Sequence, residues 1–186
     1  IYPTPIRAWE AFDDPYRVTG ILTAEDAWGS GVAARHPRIV LSAAHILFDE
    51  DAAFDPWRGD RKFYPAWNER SDPINGIRLK GLRRFSQDLV GLYAFEPTAG
   101  GKWGRWYDDG KAKLLESRRT KMIVGYPADF YDYDDPRQFL MHKTRWKSDD
   151  FFDIHDRYLF VENIIPFGGH SGSPVLVRDS NRRYRV

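Results

Sequence analysis

The sequence of 186 residues contains no cysteine. Disulfide bonds, thiolate nucleophiles and cysteine-ligated zinc sites are therefore excluded, although this absence does not fix the cellular compartment. No apolar run approaches the length of about 18 residues that predicts a transmembrane helix. The formal net charge is only +1, so the charge balance predicts neither a nucleic-acid partner nor a membrane surface.

Aromatic residues, in contrast, make up 16% of the chain, which favours strands. Short apolar or alternating segments recur between turn signals, and no long amphipathic helix is evident, so the pattern predicts an all-β barrel or sandwich. Residues 1–16 are predicted to form a surface arm, 43–47 one helical turn, and 49–72 a long loop. Strands are predicted at 17–23, 28–34, 38–42, 74–84, 88–93, 111–115, 121–125, 139–147, 158–163, 173–178 and 184–186.

The stretch from Pro166 to Pro174 (PFGGHSGSP) is a poor former of helix or strand. Glycine permits positive φ, and proline fixes φ and donates no amide. Such a loop is able to aim backbone N–H groups at one point beside the hydroxyl of Ser171. Acyl-transfer enzymes need this combination of a nucleophile and amide donors. The alternative is a plain Gly/Ser turn between strands.

Two further residues are candidates for the same site. His45 ends an apolar strand and begins a turn of small residues, and Asp88 opens another apolar strand. Taken alone, His45 fits a core histidine bonded to a carbonyl group, and Asp88 fits a turn or edge residue. Together with Ser171 they occur in the order His, Asp, Ser, which is the order of the chymotrypsin class of catalytic triads.

Several motifs resemble those of the trypsin-like serine peptidases. The segments 29–32 (GSGV) and 40–45 (VLSAAH) are similar to the GSG…TAAH region of that family. Residues 88–92 (DLVGL) resemble its DIALL strand, and 168–175 (GGHSGSPV) resemble its GGxSGSPV loop. The segment 124–127 (VGYP) is similar to the GYP of bacterial glutamyl-endopeptidase-like members. The resemblance extends over the chain from residue 17 onward.

The resemblance implies a fold of two Greek-key β-barrels with the site in the cleft between them. We predict an N-terminal barrel over residues 1–96, which carries His45 and Asp88, and a C-terminal barrel over 97–186, which carries Ser171. Only 15 residues follow Ser171, whereas family members continue for several more strands. The second barrel is therefore expected to be incomplete in this chain: either the chain is a fragment, or a second chain or segment completes the barrel.

The resemblance also implies a role for each site residue. Ser171 is expected to attack the carbonyl carbon, His45 to move the proton, and Asp88 to orient His45. The amides of Gly169 and Ser171 are expected to form the oxyanion hole. No metal or cofactor is predicted, and the substrate is expected to be a protein or peptide. The acidic segments 129–135 and 149–156 are expected to be solvated loops, with calcium binding as the alternative.

The expected substrate pocket contains Ile165 and Pro166, with no aspartate at its floor, which disfavours cleavage after Arg or Lys. His170 stands where animal trypsins have an Asp that pairs with a new N-terminus. Ile1 is consequently expected to be a processing or cloning boundary, with an activation terminus as the alternative. The predicted function is a serine endopeptidase, secreted or periplasmic. A catalytically silent peptidase-fold binding or regulatory module is the alternative, and an esterase is a third.

Overall fold

The computed structural model describes residues 1–48, 59–68, 76–85, 88–98, 101–104, 118–128, 140–147, 152–155, 158–161, 164 and 167–186. Short 3-10 turns lie at Glu10–Phe12, Tyr16–Val18 and Ala44–Ile46. The strands are β1 Thr4–Pro5, β2 Thr19–Ala24, β3 Ala27–Ala33, β4 Ile39–Ala43, β5 Arg61–Pro65, β6 Ile77–Arg84, β7 Leu89–Ala94, β8 Lys121–Gly125, β9 His142–Trp146, β10 Phe152–His155, β11 Tyr158–Val161, β12 Val175–Arg178 and β13 Tyr184–Arg185.

The first half of the chain closes into a six-stranded barrel in the order β2-β3-β4-β7-β6-β5. Each pair of neighbouring strands is antiparallel. The alternation along these strands sends one set of side chains inward, including the buried Leu22, Val40, Phe63 and Leu92. Closure leaves no unpaired strand edge, and the apolar interior holds the strand register, because a slip of one residue would expose these side chains.

The second half forms an open five-stranded sheet in the order β1-β9-β8-β12-β13, and β10 and β11 pair separately as a hairpin. A second core cluster underlies this sheet and includes Met122, Tyr126 and Leu176. The same cluster includes Ile21 and Trp67 from the first half, so the two halves share buried apolar surface. The hydroxyl of Tyr126 donates to the Trp67 carbonyl at 2.8 Å, and burial raises the pKa of this tyrosine well above its usual value.

The predicted all-β class is confirmed, and three local predictions are wrong. Residues 61–65 form β5 although the prediction places them in a loop, and residues 4–5 pair with β9 as a strand instead of lying in a surface arm. Residues 152–155 likewise form β10 within an expected solvated loop. The predicted strand at 111–115 lies outside the described residues. The division at residue 96 stays a prediction.

Candidate active site

The positions of His45 and Asp88 follow from the pairing of β4 with β7. Ala43 at the end of β4 is opposite Leu89 at the start of β7. One residue further out, the amide of Ala44 donates to the carbonyl of Asp88 at 2.8 Å. The 3-10 turn that begins at Ala44 then turns His45 over the Asp88 side chain. The strand register therefore brings together two residues that are 43 positions apart in the sequence.

The three predicted triad residues form one continuous set of hydrogen bonds. Nδ1 of His45 lies 2.9 Å from both carboxylate oxygens of Asp88, and the backbone N–H of His45 donates to Oδ1 at 2.9 Å. The carboxylate favours the tautomer with the proton on Nδ1, which leaves Nε2 as an acceptor. Nε2 of His45 lies 2.8 Å from Oγ of Ser171. This geometry lets His45 accept the hydroxyl proton.

Two tight turns shape the loop that carries Ser171. The amide of His170 donates to the Phe167 carbonyl at 3.3 Å around Gly169, whose φ is +79°. The amide of Ser173 donates to the His170 carbonyl at 2.9 Å around Gly172, whose φ is also +79°. A Cβ at residue 172 would overlap the Ser30 carbonyl oxygen, so only glycine fits without movement.

The amide N–H groups of Gly169 and Ser171 are available to a ligand. None of the hydrogen bonds found among the described residues uses either group as its donor. The carbonyl of Gly168 accepts from the Ala128 amide at 2.6 Å, and that of His170 accepts from Ser173. Because N–H and C=O point in opposite directions across a trans peptide, these anchored carbonyls turn the Gly169 and Ser171 amides the other way. Both predicted oxyanion donors therefore stay unused beside the hydroxyl.

The predicted pocket residues Ile165 and Pro166 lie outside the described residues. Directly after these two residues, the ring of Phe167 lies 6.4 Å from the ring of Tyr2 and 6.3 Å from the ring of His170. A separate cavity of about 270 Å³ adjoins the site on the side of Asp88. The side chains of His45 and Asp88 are 57% and 56% exposed, so solvent reaches the pair.

In the described ranges, no three His, Asp or Glu side chains are grouped so that they could hold a metal ion. The acidic segment 129–135 and half of 149–156 lie outside those ranges. None of the helices that the structure describes has the length and apolar character needed to cross a bilayer.

Sequence analysis assigned no role to Ser30, which the structure places against the Ser171 loop. Its amide donates to the Ser171 carbonyl at 2.7 Å, and its hydroxyl donates to the Gly169 carbonyl at 2.8 Å. The only signal in the sequence was a serine between two glycines in a buried strand, which also fits ordinary barrel packing.

No family model matches the chain, and no curated protein matches it. Solved structures do. A Glu endopeptidase in complex with MPD covers 98% of this chain and 81% of its own length, with a TM-score of 0.67 and 14% identity. Protease Anisep from Arthrobacter nicotinovorans covers 92% of this chain and 82% of its own length, with a TM-score of 0.64 and 15% identity. A thermostable serine protease, AL20, from an extremophilic microorganism covers 90% and 81%, with a TM-score of 0.61 and 12% identity.

The chain therefore has the chymotrypsin-type fold of the trypsin-like serine proteases. The resemblance indicated by the sequence motifs is confirmed for the fold. At this level of identity, the likeness extends to the backbone architecture, and the chemistry has to be argued from the residues of this chain.

Proposed function

We propose that this chain is a serine endopeptidase. The observation that carries the proposal is the continuous set of hydrogen bonds from Asp88 through His45 to Ser171, with contacts of 2.9 and 2.8 Å. A serine hydroxyl is a weak nucleophile until a base lies within hydrogen-bond reach. The protease fold supports peptides as the class of substrate.

In the first step, Oγ of Ser171 attacks the carbonyl carbon of the scissile bond while Nε2 of His45 takes the hydroxyl proton. Asp88 accepts a hydrogen bond from Nδ1–H and stabilises the imidazolium that forms. The carbonyl oxygen becomes an oxyanion, and the N–H groups of Gly169 and Ser171 are the donors available to it. Removal of one such donor costs about 10² to 10³ in rate in comparable sites.

In the second step, the C–N bond breaks and His45 returns its proton to the leaving amine. The acyl group stays on Ser171 as an ester. Water then attacks this ester, His45 removes a proton from the water, and the acid product leaves as Ser171 regains its hydrogen. Atoms and charge balance without a metal or cofactor. The expected absence of an acidic pocket floor supports substrates without Arg or Lys before the scissile bond.

A fluorophosphonate probe combined with a peptide library tests this proposal. Wild-type protein is expected to take up one probe molecule at Ser171 and to cleave a subset of the library. Ser171→Ala is expected to lose both properties with little change in melting temperature, because it removes a single hydroxyl from a loop at the surface. Cleavage retained in Ser171→Ala, or folded wild-type protein that neither reacts nor cleaves, would overturn the proposal.

One observation favours a second candidate, a silent peptidase-fold binding module. The Asp88 side chain is 56% exposed, whereas the triad aspartate of active enzymes is buried. Water around the carboxylate weakens its hold on the imidazolium. Well-folded wild-type protein that binds library peptides without cutting them, and that resists the probe, would support the module over the peptidase.

A further inference from the structure

Ser30 lies on β3 of the first barrel and is fully buried. Besides its bonds to the carbonyls of Ser171 and Gly169, its hydroxyl oxygen accepts from the amide of Tyr126 at 3.2 Å. Its own carbonyl accepts from the hydroxyl of Ser42 at 2.7 Å. Ser30 therefore joins a barrel strand, the loop that carries the nucleophile and the segment that follows β8.

Each of the four carbonyl groups of residues 168 to 171 accepts a hydrogen bond. Ala128 anchors the first and Ser173 the third, while Ser30 anchors the second and the fourth. Ala128 and Ser173 hold the two units that carry the unused N–H groups of Gly169 and Ser171, and Ser30 holds the unit that follows each of them. Rotation of any one unit has to be shared by its neighbours, so the bonds made by Ser30 restrain the units that present the amides of Gly169 and Ser171.

We propose that Ser30 is the positioning residue for the oxyanion hole, an inference that rests on the proposed peptidase function. Loss of its hydroxyl removes the partner of the Gly169 carbonyl and of the Tyr126 amide together. The peptide unit between Gly169 and His170 then loses its carbonyl bond, and Gly169 offers little steric resistance to a coupled rotation of the preceding unit, whose carbonyl keeps only its bond from Ala128. The amide of Gly169 then spends part of its time away from the oxyanion, although the triad residues keep their own contacts.

A purely structural role for Ser30 makes a different prediction. In that case, its loss lowers stability without a specific effect on the chemical step. Ser42 provides a matched control, because it is also a buried serine whose hydroxyl bonds to a carbonyl, that of Ser30, and its loss leaves the bonds from Ser30 to the loop in place. None of the hydrogen bonds found in the described part of the chain joins the Ser42 hydroxyl to residues 168–171. Ser30→Ala and Ser42→Ala delete the same group from neighbouring strands.

The experiment compares wild-type, Ser30→Ala and Ser42→Ala proteins on one peptide substrate. It measures kcat, KM, melting temperature and the inhibition constant of a peptidyl boronic acid, whose tetrahedral adduct with serine resembles the transition state. Ser30→Ala is expected to lose about 10- to 100-fold in kcat with KM changed less than about threefold, which is the pattern for an interaction made in the transition state. Boronic acid affinity is expected to fall in proportion.

Ser42→Ala is expected to lower the melting temperature by a similar amount while it keeps kcat within about threefold of wild type. Equal losses of kcat in the two variants, or an unchanged kcat in Ser30→Ala, would overturn the assignment while the proposed function stands. If wild-type protein is itself inert towards peptide and probe, the proposed function fails and this inference fails with it.

Ser30→Cys replaces Ser30→Ala in this experiment if Ser30→Ala does not fold. It has nearly the same shape but a weaker donor, and it introduces the only thiol of the chain. Its kcat is expected to fall below that of wild type with a small change in KM, and a wild-type kcat in this variant would overturn the proposal.

Discussion

The two halves of the molecule hold their parts of the site in different ways. The first is a closed six-stranded barrel, and the second is an open sheet whose edge strands β1 and β13 have two residues each. His45 and Asp88 are placed by the register of one strand pair inside the closed barrel. Ser171 sits on a loop of the open half, and that loop is fixed by bonds from elsewhere.

The proposed base and its carboxylate are placed by one pair of strands, whereas the proposed nucleophile depends on contacts between the halves. Ser30 supplies two of those contacts from the closed barrel. Substitutions at His45 and Asp88 should therefore affect chemistry with little effect on stability. Substitutions around the Ser171 loop should affect both.

The largest expected effect tests the contribution of the closed barrel to chemistry. Asp88→Asn is expected to lower kcat by about 10⁴-fold, because an amide no longer selects the productive tautomer of His45 or stabilises its charged form. The exposed position of the side chain predicts little change in melting temperature. Steady-state kinetics with thermal unfolding measure both.

Asp179→Asn, in the open half, is the control for this substitution and should leave kcat unchanged. Wild-type turnover in Asp88→Asn would show that the carboxylate takes no part in the reaction.

The second prediction asks whether the halves unfold separately. Leu92 in the barrel and Leu176 in the open sheet are both almost fully buried. Leu92→Ala and Leu176→Ala should each cost about 2 to 5 kcal/mol of unfolding free energy. Because Ile21 and Trp67 of the first half pack in the cluster of Leu176, each variant should show one shifted transition in calorimetry. Two separate transitions would show that the two halves unfold as independent domains.

A third, smaller effect concerns packing between the barrel and the Ser171 loop. Gly172→Ala forces an L residue into φ of +79° and places its Cβ against the Ser30 carbonyl. The backbone conformation alone costs about 1 to 2 kcal/mol, and displacement of the loop should lower kcat as well. Denaturant unfolding and kinetics measure the two losses.

Gly101→Ala is the matched control, because Gly101 has φ of +78° and no atom of the residues that the structure describes lies within 4 Å of its added Cβ. It should show the backbone cost and unchanged kcat. Equal losses of stability and kcat at both positions would mean that the contact with Ser30 is not a reason why residue 172 has to be glycine.

The smallest effect tests the edge of the open sheet. The pKa of Asp179 is held below its usual range, chiefly by the Arg183 amide and also by Arg185 and the Asn181 amide. A lowered folded pKa means that the carboxylate stabilises the β12–β13 hairpin at neutral pH and that this stabilisation is lost as pH falls through the folded pKa.

Asp179→Asn should therefore melt slightly below wild type at about pH 7, and the gap should shrink as the pH falls below the ordinary range of an aspartate pKa. Thermal unfolding at several pH values measures it. A gap that stays constant with pH would show that the charge is not involved.

The sequence predicted the triad contacts because the residues that make them lie in local motifs. His45 follows a buried strand, Asp88 opens another, and Ser171 lies in a glycine-rich loop whose turns require positive φ. Each of these local features depends on residues that are neighbours in the sequence. The chain order His, Asp, Ser then matched that of a known class of catalytic triads. Most barrel strands were predicted for the same reason, since they are short apolar or alternating segments between turn signals.

Features set by distant partners escaped prediction. In β5, only Phe63 and Pro65 are buried among polar neighbours, and the strand exists because it pairs with β2 and β6. The role of Ser30 depends on its distance from residues 139 positions later in the chain. A hydroxyl in a strand looks the same in the sequence whether it bonds to a loop or packs against a neighbour.

The pairing of β1 with β9 has a consequence for how the chain folds. Thr4 and Lys143 are 139 residues apart, so β1 cannot pair until β9, much later in the chain, has been synthesised. Contacts this distant in sequence form slowly, whereas the barrel strands from β2 to β7 need only the residues between them. We expect the amide of Ile6, which donates to the Met141 carbonyl, to gain protection in pulsed hydrogen exchange after the barrel amides do. Simultaneous protection would show that the barrel and the β1–β9 pair form in a single step.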